Sequence, residues 1–123
     1  LIYKNKLKFS YELIIWAKKD GRHTFNYQDM FDINGEEMQD VWLIPAVQMH
    51  EKKFGYHPTQ KPEALLERII KACSNVGDIV LDPFMGSGTV AVASILTNRK
   101  YVGIELNEHY HMLCMKNISD LTK

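Results

Sequence analysis

The sequence is poor in cysteine, carries no net charge and has no long apolar run. Its two cysteines, Cys73 and Cys114, fall in no paired-ligand spacing, so we predict reduced thiols packed in a core and no metal site. No stretch approaches the roughly 20 apolar residues of a membrane span, and residues 1–10 lack the apolar part of a secretory signal. These absences favour a small globular domain in a reducing, cytoplasmic compartment, with no membrane partner.

The charges cancel over the whole chain but are unevenly distributed along it. Lys and Arg together number 15, and Asp and Glu together number 15. Residues 20–51 are acidic, whereas residues 1–19 and 52–71 are basic. The total charge therefore neither favours nor excludes a nucleic-acid partner.

Three segments of the chain differ in their apolar patterning. Residues 11–17, YELIIWA, are apolar on both alternating faces, which predicts a strand buried in a sheet interior and assigns residues 1–19 to a sheet core. Residues 20–56 are polar and interrupted by glycine and proline, which predicts a long irregular segment inserted between the others. Residues 57–123 carry regular helix and strand patterns and form the ligand-binding subdomain.

The ligand-binding subdomain has the pattern of alternating helices and strands. The predicted elements are a helix opened by Pro62, a strand over 79–81, a helix from Gly88 or Thr89 to Leu96, a strand over 101–106, and a final helix capped by Asn107. The predicted inward side chains are Leu65, Leu66, Ile69, Ile70 and Cys73 in the first helix, and Tyr110, Leu113, Cys114, Ile118 and Leu121 in the last. This βαβα order predicts parallel strands in a doubly wound α/β sheet, with the ligand at their carboxyl ends.

A glycine turn, VLDPFMGSGTVAV at residues 80–92, joins the first strand to its helix. Its G-x-G-x-x-A pattern is a weak signal for a dinucleotide, and the absence of a following lysine excludes a P-loop. Asp82 would repel a pyrophosphate and attract an ammonium group. Glu105, at the end of the next strand, can accept hydrogen bonds from both ribose hydroxyls. A nucleoside that ends in a cationic amino acid, such as S-adenosylmethionine, fits these two carboxylates best.

Three motifs resemble the cofactor half of the amino-methylating DNA methyltransferases of restriction-modification systems. They are HPTQKP (57–62), DPFMGSGT (82–89) and GIE (103–105), and their order resembles the β-type arrangement, in which the cofactor motifs come last. The resemblance implies a Rossmann-like, S-adenosylmethionine-dependent fold with an inserted target-recognition segment at residues 20–56. It covers nearly the whole chain.

The resemblance also implies a role for each matching residue. Asp82 and the turn would bound the methionine part of the cofactor, Glu105 would hold the ribose, and residues 59–61 would lie against the methionyl carboxylate. The implied cofactor-binding residues are His57, Thr59, Gln60, Lys61, Asp82, Pro83, Phe84, Gly86, Ser87, Gly88, Thr89 and Glu105.

One motif of this family is missing from the chain. Members transfer the methyl group with a D/N/S-P-P-Y/F/W motif that holds the flipped-out base, and no two prolines are adjacent here. We expect that motif upstream of Leu1, assign no catalytic residue, and expect the chain alone to be inactive. Its expected partners are DNA and either the missing N-terminal half or a second copy in a homodimer.

The resemblance implies methyl transfer to the exocyclic amino group of a DNA base, with adenine N6 favoured. Candidate DNA-binding residues in the recognition segment are Arg22, His23, Asn26, Lys52 and Lys53. The alternatives are a cytosine N4 methyltransferase, a non-catalytic or split cofactor-binding subunit, and a dinucleotide-dependent oxidoreductase domain. A bacterial or phage-like protein in the cytoplasm fits the favoured interpretation.

Overall fold

A computed structural model describes residues 10–121 of the chain. Its elements are helix α1 (Tyr27–Asn34), a single 3-10 turn (His50–Lys52), helix α2 (Glu63–Cys73), strand β1 (Ile79–Asp82), helix α3 (Thr89–Leu96), strand β2 (Lys100–Gly103) and helix α4 (Glu108–Asp120). The α/β class predicted from the sequence is confirmed, and the last five elements follow the predicted order.

Strands β1 and β2 pair in parallel, as the βαβα pattern predicts. Ile79 lies opposite Lys100 at one end and Asp82 opposite Gly103 at the other. β2 ends at Gly103 and is shorter than predicted. The Ile104 amide still donates a hydrogen bond to the Asp82 carbonyl at 2.9 Å, and the backbone then leaves the sheet. The Ile104 carbonyl then accepts from the amide of Met85 at 2.9 Å, so the chain beyond β2 is tied to the glycine turn.

Helix α3 lies at the centre of the packing and contacts α2, α4 and both strands. Its residues Ala91, Val92 and Ala93 are each no more than 4% exposed. A short helix that is apolar on all sides is stable only when neighbouring elements cover it, and small side chains let those neighbours approach closely. α3 therefore fixes the position of the glycine turn that precedes it.

Helix α4 begins at the predicted cap, where the Asn107 side chain accepts a hydrogen bond from the Tyr110 amide at 3.2 Å. Leu113 and Cys114 are buried as predicted. Leu121, predicted to point inward, is 39% exposed, because α4 ends at Asp120 and the next residue leaves the helix face.

The two cysteines are free thiols, as predicted, but only one lies in the core. Cys114 is buried, whereas Cys73 is exposed. The prediction for Cys73 is wrong because α2 ends at this residue and the following Ser74 is extended. In that last turn Ile70 and Ala72 are the buried side chains.

Helix α1 lies inside the segment predicted to be irregular, and that prediction is wrong for residues 27–34. Met30 is 1% exposed and is the buried residue of the helix. Gly35 ends α1 in a left-handed conformation, with φ of 76°. The sequence of α1 shows no clear helical period because the helix has no broad apolar face. It is stabilised instead by contacts with α2, which is distant in the sequence.

The strand predicted over residues 11–17 is also wrong for this structure. Residues 10–19 form no strand, and Leu13 and Ile15 are 86% and 90% exposed. An apolar segment becomes a buried strand only beside a partner strand, and among the described residues the sheet consists of β1 and β2.

One face of that two-stranded sheet is uncovered by the described residues. Ile79 and Leu81 are 66% and 63% exposed, and Val102 beside them is 50% exposed. The opposite face packs on α3 and α4 through Tyr101 and the cluster of Met85, Ala91 and Cys114. Within the described residues, helices therefore cover one face of the sheet and leave the other exposed. No described helix is long and apolar enough to cross a membrane.

Candidate functional site

The glycine turn between β1 and α3 depends on glycine at two positions. Gly86 and Gly88 have φ of 54° and 85°, in the left-handed region that other residues rarely adopt. A Cβ on Gly88 would lie 2.3 Å from the Cys114 sulfur, so any side chain there would collide with α4. The two glycines thus let the turn lie directly on the helix that follows β2.

Glu105 bridges the glycine turn and the start of α4. Its Oε2 accepts a hydrogen bond from the Gly86 amide at 2.8 Å, and its Oε1 accepts one from the Asn107 amide at 2.8 Å. These two amides, Asn107 first and Gly86 second, lower the pKa of the Glu105 carboxyl. The carboxylate therefore stays ionised beside the carboxyl ends of both strands.

Asp82 ends β1 on the same side of the molecule. Its Oδ1 accepts a hydrogen bond from the Phe84 amide at 3.0 Å, which fixes the carboxylate over the start of the turn. Burial, followed by the charges of Asp82 and Glu105, raises the pKa of the Cys114 thiol to about 11. Asp82 pairs with Gly103, two residues before Glu105, so the structure brings the two predicted anionic residues to the same edge of the sheet.

The first residue of the HPTQKP segment packs on this turn. A Cβ on Gly86 would lie 3.0 Å from Nε2 of His57, and the His57 ring meets the Tyr110 ring edge-on with 4.2 Å between centroids. The Thr59 amide donates to Nδ1 of His57 at 3.3 Å. The structure thus joins two motifs that are separated by about twenty residues in the sequence.

A cavity of about 310 Å³ lies on the α3 side of the turn. It is lined by His50, Glu51, Lys53, Phe54, Gln60, Glu63, Thr89, Val92, Asn117, Asp120 and Leu121. Gln60 and Thr89, both predicted cofactor ligands, share this cavity. Nε2 of Gln60 donates to the Glu51 carbonyl at 2.8 Å, while its Oε1 is buried and has no partner among the described residues.

The other predicted cofactor residues are divided between buried and exposed positions. Gly86, Ser87, Gly88 and Thr89 are buried, and the Ser87 carbonyl accepts from Asn117 at 2.8 Å. Phe84 is 88% exposed and Pro83 is also exposed. Lys61 is turned to a different partner, since its ammonium group forms an ion pair with Glu12 at 2.7 Å. The accessible part of the turn is therefore its first half, beside Asp82.

The five candidate DNA-binding residues do not share one environment. Arg22 and His23 are exposed, with His23 edge-on to Trp16, and Lys52 lies 5.9 Å from the centre of the Tyr56 ring. Asn26 has a structural role: its Nδ2 donates to the carbonyls of Lys71 and Ser74 at 2.8 and 2.7 Å, at the end of α2. Lys53 is paired with Asp120 at 2.8 Å. We therefore leave Asn26 and Lys53 out of the DNA-binding proposal.

Sequence reasoning gave no role at the site to Tyr110 or Asn117, and it included Met85 only as part of the turn. Tyr110 packs on His57, Asn117 holds the Ser87 carbonyl, and Met85 contacts the Cys114 sulfur at 3.6 Å. Residues 110, 114 and 117 lie at helical spacing, so the period of α4 places them on one side. The helical period of α4 could have identified its contact residues, but only if the turn had been known to pack against this helix.

A parallel βαβα unit with a glycine turn between two carboxylates is the arrangement of a nucleotide- or nucleoside-binding α/β domain. The N6_N4_Mtase family model, described as DNA methylase, matches residues 2–116. The chain belongs to this family, and the resemblance drawn from the three motifs is confirmed.

Named relatives agree with this assignment. The chain is similar to the type II methyltransferase M2.MboI of Moraxella bovis, with 44% identity over 93% of this chain and 43% of the relative. It is also similar to the DNA adenine methyltransferase YhdJ of Escherichia coli (strain K12), with 49% identity over 64% of this chain and 27% of the relative. The chain therefore spans about two fifths or less of the length of these relatives.

A solved structure supports the fold. The crystal structure of the M1.HpyAVI–SAM complex is similar with a TM-score of 0.62 and 33% identity, over 82% of this chain and 46% of that chain. The α/β architecture is thus shared with a protein whose structure was solved in complex with SAM.

Proposed function

We propose that the chain binds S-adenosylmethionine at the accessible half of the glycine turn. The observation that carries this proposal is the pair of carboxylates, Asp82 at the end of β1 and Glu105 just beyond β2, beside the exposed first half of the turn. The parallel pairing of Asp82 with Gly103, two residues before Glu105, supports one anionic site at the carboxyl ends of the strands.

The residues present fit the chemistry of this cofactor. The Asp82 side chain suits the ammonium group of the methionine part, and Glu105 retains lone pairs for the ribose hydroxyls after accepting two backbone amides. The unpartnered Oε1 of Gln60 can accept one further donor from a ligand that reaches the cavity beside Thr89. When bound, the cofactor would supply an activated methyl group.

The whole protein is proposed to be a site-specific DNA methyltransferase that acts on adenine N6, in the cytoplasm of a bacterial cell. The relatives are named as type II and DNA adenine methyltransferases of bacteria, which supports DNA as the partner and adenine as the base. Arg22, His23 and Lys52 are the remaining candidates for DNA contact, because within residues 10–121 their side chains neither cap a helix nor pair with a carboxylate.

This chain's residues would bind and orient the cofactor, whereas the residues that hold the base would lie in a catalytic D-P-P-Y-type motif elsewhere. Alignment of the methyl group with the base is the main contribution expected from such a site. We expect the 123-residue chain to bind the cofactor without methylating DNA, and a longer chain that includes the motif to do both.

Titration calorimetry of the chain with S-adenosylmethionine and, separately, with NADH tests the cofactor. The proposal requires saturable binding of S-adenosylmethionine and none of NADH. Binding of NADH alone would replace the methyltransferase proposal with a dinucleotide-dependent one. Methyl transfer to adenine-containing DNA, measured with the chain plus its motif-bearing segment, then tests the reaction.

A further inference from the structure

We propose that Glu105 is also a positioning residue, which braces the glycine turn against α4 and sets the turn's shape before any ligand arrives. This inference rests on the proposed function, since it assigns Glu105 a second role at the same site. The family resemblance implies only contact with the ribose.

The brace is visible in two hydrogen bonds from one carboxylate. Oε2 accepts the Gly86 amide and Oε1 accepts the Asn107 amide, each at 2.8 Å. Gly86 lies in the turn and Asn107 is the cap of α4, so the carboxylate links two elements that are 21 residues apart. Bonds from amides to an ionised carboxylate are stronger than neutral ones.

The Gly88 amide donates to the Met85 carbonyl at 2.8 Å and closes the backbone around Gly86, while Glu105 is the side chain that holds the Gly86 amide. The Gly86 φ of 54° lies in a region that glycine enters and leaves easily. The ring of His57 closes one side of Gly86, as the 3.0 Å approach to a Cβ there shows. Glu105 holds its amide from the other direction, so the turn is fixed between an imidazole and a carboxylate.

Glu105 can perform both roles at once. An ionised carboxylate offers about four lone-pair sites, of which the two amides use two. The remaining sites can accept two ribose hydroxyls without releasing Gly86 or Asn107. A glutamine has only one acceptor oxygen and would present an NH₂ group to one of the two amides, so Glu105→Gln must lose at least one bond.

Amide hydrogen exchange of the ¹⁵N-labelled chain tests the brace without a ligand. In Glu105→Gln, exchange at Gly86 or Asn107 should accelerate by about tenfold or more, the size expected for losing a hydrogen bond to a charged group. Exchange of the Met85 amide, bonded to the Ile104 carbonyl, should accelerate by no more than the accompanying fall in the free energy of unfolding, measured under the same conditions, accounts for. Unchanged protection at both Gly86 and Asn107 would overturn the proposal.

Affinity measurements distinguish the bracing role of Glu105 from its contact with the ribose. The probes are S-adenosylmethionine and its analogue lacking both ribose hydroxyls. If Glu105 only contacts the ribose, Glu105→Gln should weaken the binding of S-adenosylmethionine alone. If Glu105 also braces the turn, the substitution should weaken the binding of the hydroxyl-free analogue at least severalfold too. Equal affinity of this analogue for wild type and Glu105→Gln would contradict the brace.

Glu108→Gln is the matched control, since it removes a carboxylate from the first turn of the same helix, where Glu108 is exposed and bonds neither amide. It should leave exchange and both affinities unchanged. If the wild-type chain binds neither probe, the proposed function fails, and the exchange measurement still decides whether Glu105 braces the turn.

Discussion

Residues 57–121 and residues 10–56 are held in place in different ways. In the first region β1, α3, β2 and α4 follow one another closely and bury Ala91, Ala93 and Cys114 almost completely. In the second region Met30 is the one described residue that is fully buried, and most apolar side chains are exposed.

The second region is attached to the first by a small number of specific contacts. Asn26 caps the end of α2, Glu51 accepts the Glu63 amide at 3.3 Å, and Glu12 pairs with Lys61. The first region therefore depends on close packing, and the second on individual polar contacts and one apolar anchor. A given substitution should cost much more stability in the first region than in the second.

Two left-handed glycines make the sharpest comparison. Gly88→Ala should lower the free energy of unfolding by about 3 kcal/mol or more, from collision with Cys114 added to left-handed strain. Gly35→Ala, at φ of 76° with nothing within 4 Å, should cost only about 1 kcal/mol, because strain acts alone. Denaturant unfolding measures both, and equal losses would contradict the packing difference.

Two methionines test the anchor of α1. Met30→Ala should destabilise the docking of α1 by about 2 kcal/mol. This value is at the low end of the range for a buried methionine, because a helix at the edge of the structure can shift to fill the space. Met49→Ala removes the same atoms from a side chain that is 84% exposed and should change stability little. Hydrogen exchange of the α1 amides would report the effect, and matching rates in the two variants would refute the anchor.

The two cysteines test the same contrast by chemistry. Burial raises the pKa of both thiols, that of Cys114 to about 11, so at pH 8 neither is largely ionised and exposure decides the reaction. A maleimide should label Cys73 in the native chain and Cys114 only after unfolding. Mass spectrometry of Cys73→Ser and Cys114→Ser chains distinguishes the sites, and rapid native labelling of Cys114 would show that the packed region opens readily.

The smallest effect is expected at the Glu12–Lys61 ion pair. Both side chains are largely solvated, with 74% and 43% of their surface exposed, so Glu12→Gln should change stability by less than about 1 kcal/mol. Unfolding at low and at high salt measures the difference, which should shrink as salt screens the pair. A larger, salt-independent loss would indicate that residues 10–19 are attached by more than this contact.

Local rules predicted the packed region well. Asn107 as a cap, the parallel pairing of β1 and β2, and the start of α3 at the second glycine all follow from short-range sequence signals. The neighbourhood of Asp82 and Glu105 followed from strand ends alone, since parallel strands place their carboxyl ends at one edge.

Contacts between distant residues explain what could not be predicted. Nothing near Asn26 in the sequence shows that its amide group will cap α2 some 45 residues later. The segment 11–17 has the composition of a buried strand, but composition supplies no partner strand. Cys73 fits the apolar period of α2, and only the end of the helix at that residue leaves its side chain exposed.

The most direct test of the account is the affinity of S-adenosylmethionine for Asp82→Asn and Asp78→Asn chains, measured by calorimetry. The two substitutions remove the same charge near opposite ends of β1, and the Asp78 carboxylate accepts the Asn75 amide in the preceding turn. The account predicts at least about tenfold weaker binding for Asp82→Asn, consistent with a lost charged contact, and wild-type affinity for Asp78→Asn. Unchanged affinity in Asp82→Asn, or an equal loss in both, would contradict a cofactor site at the carboxyl end of β1.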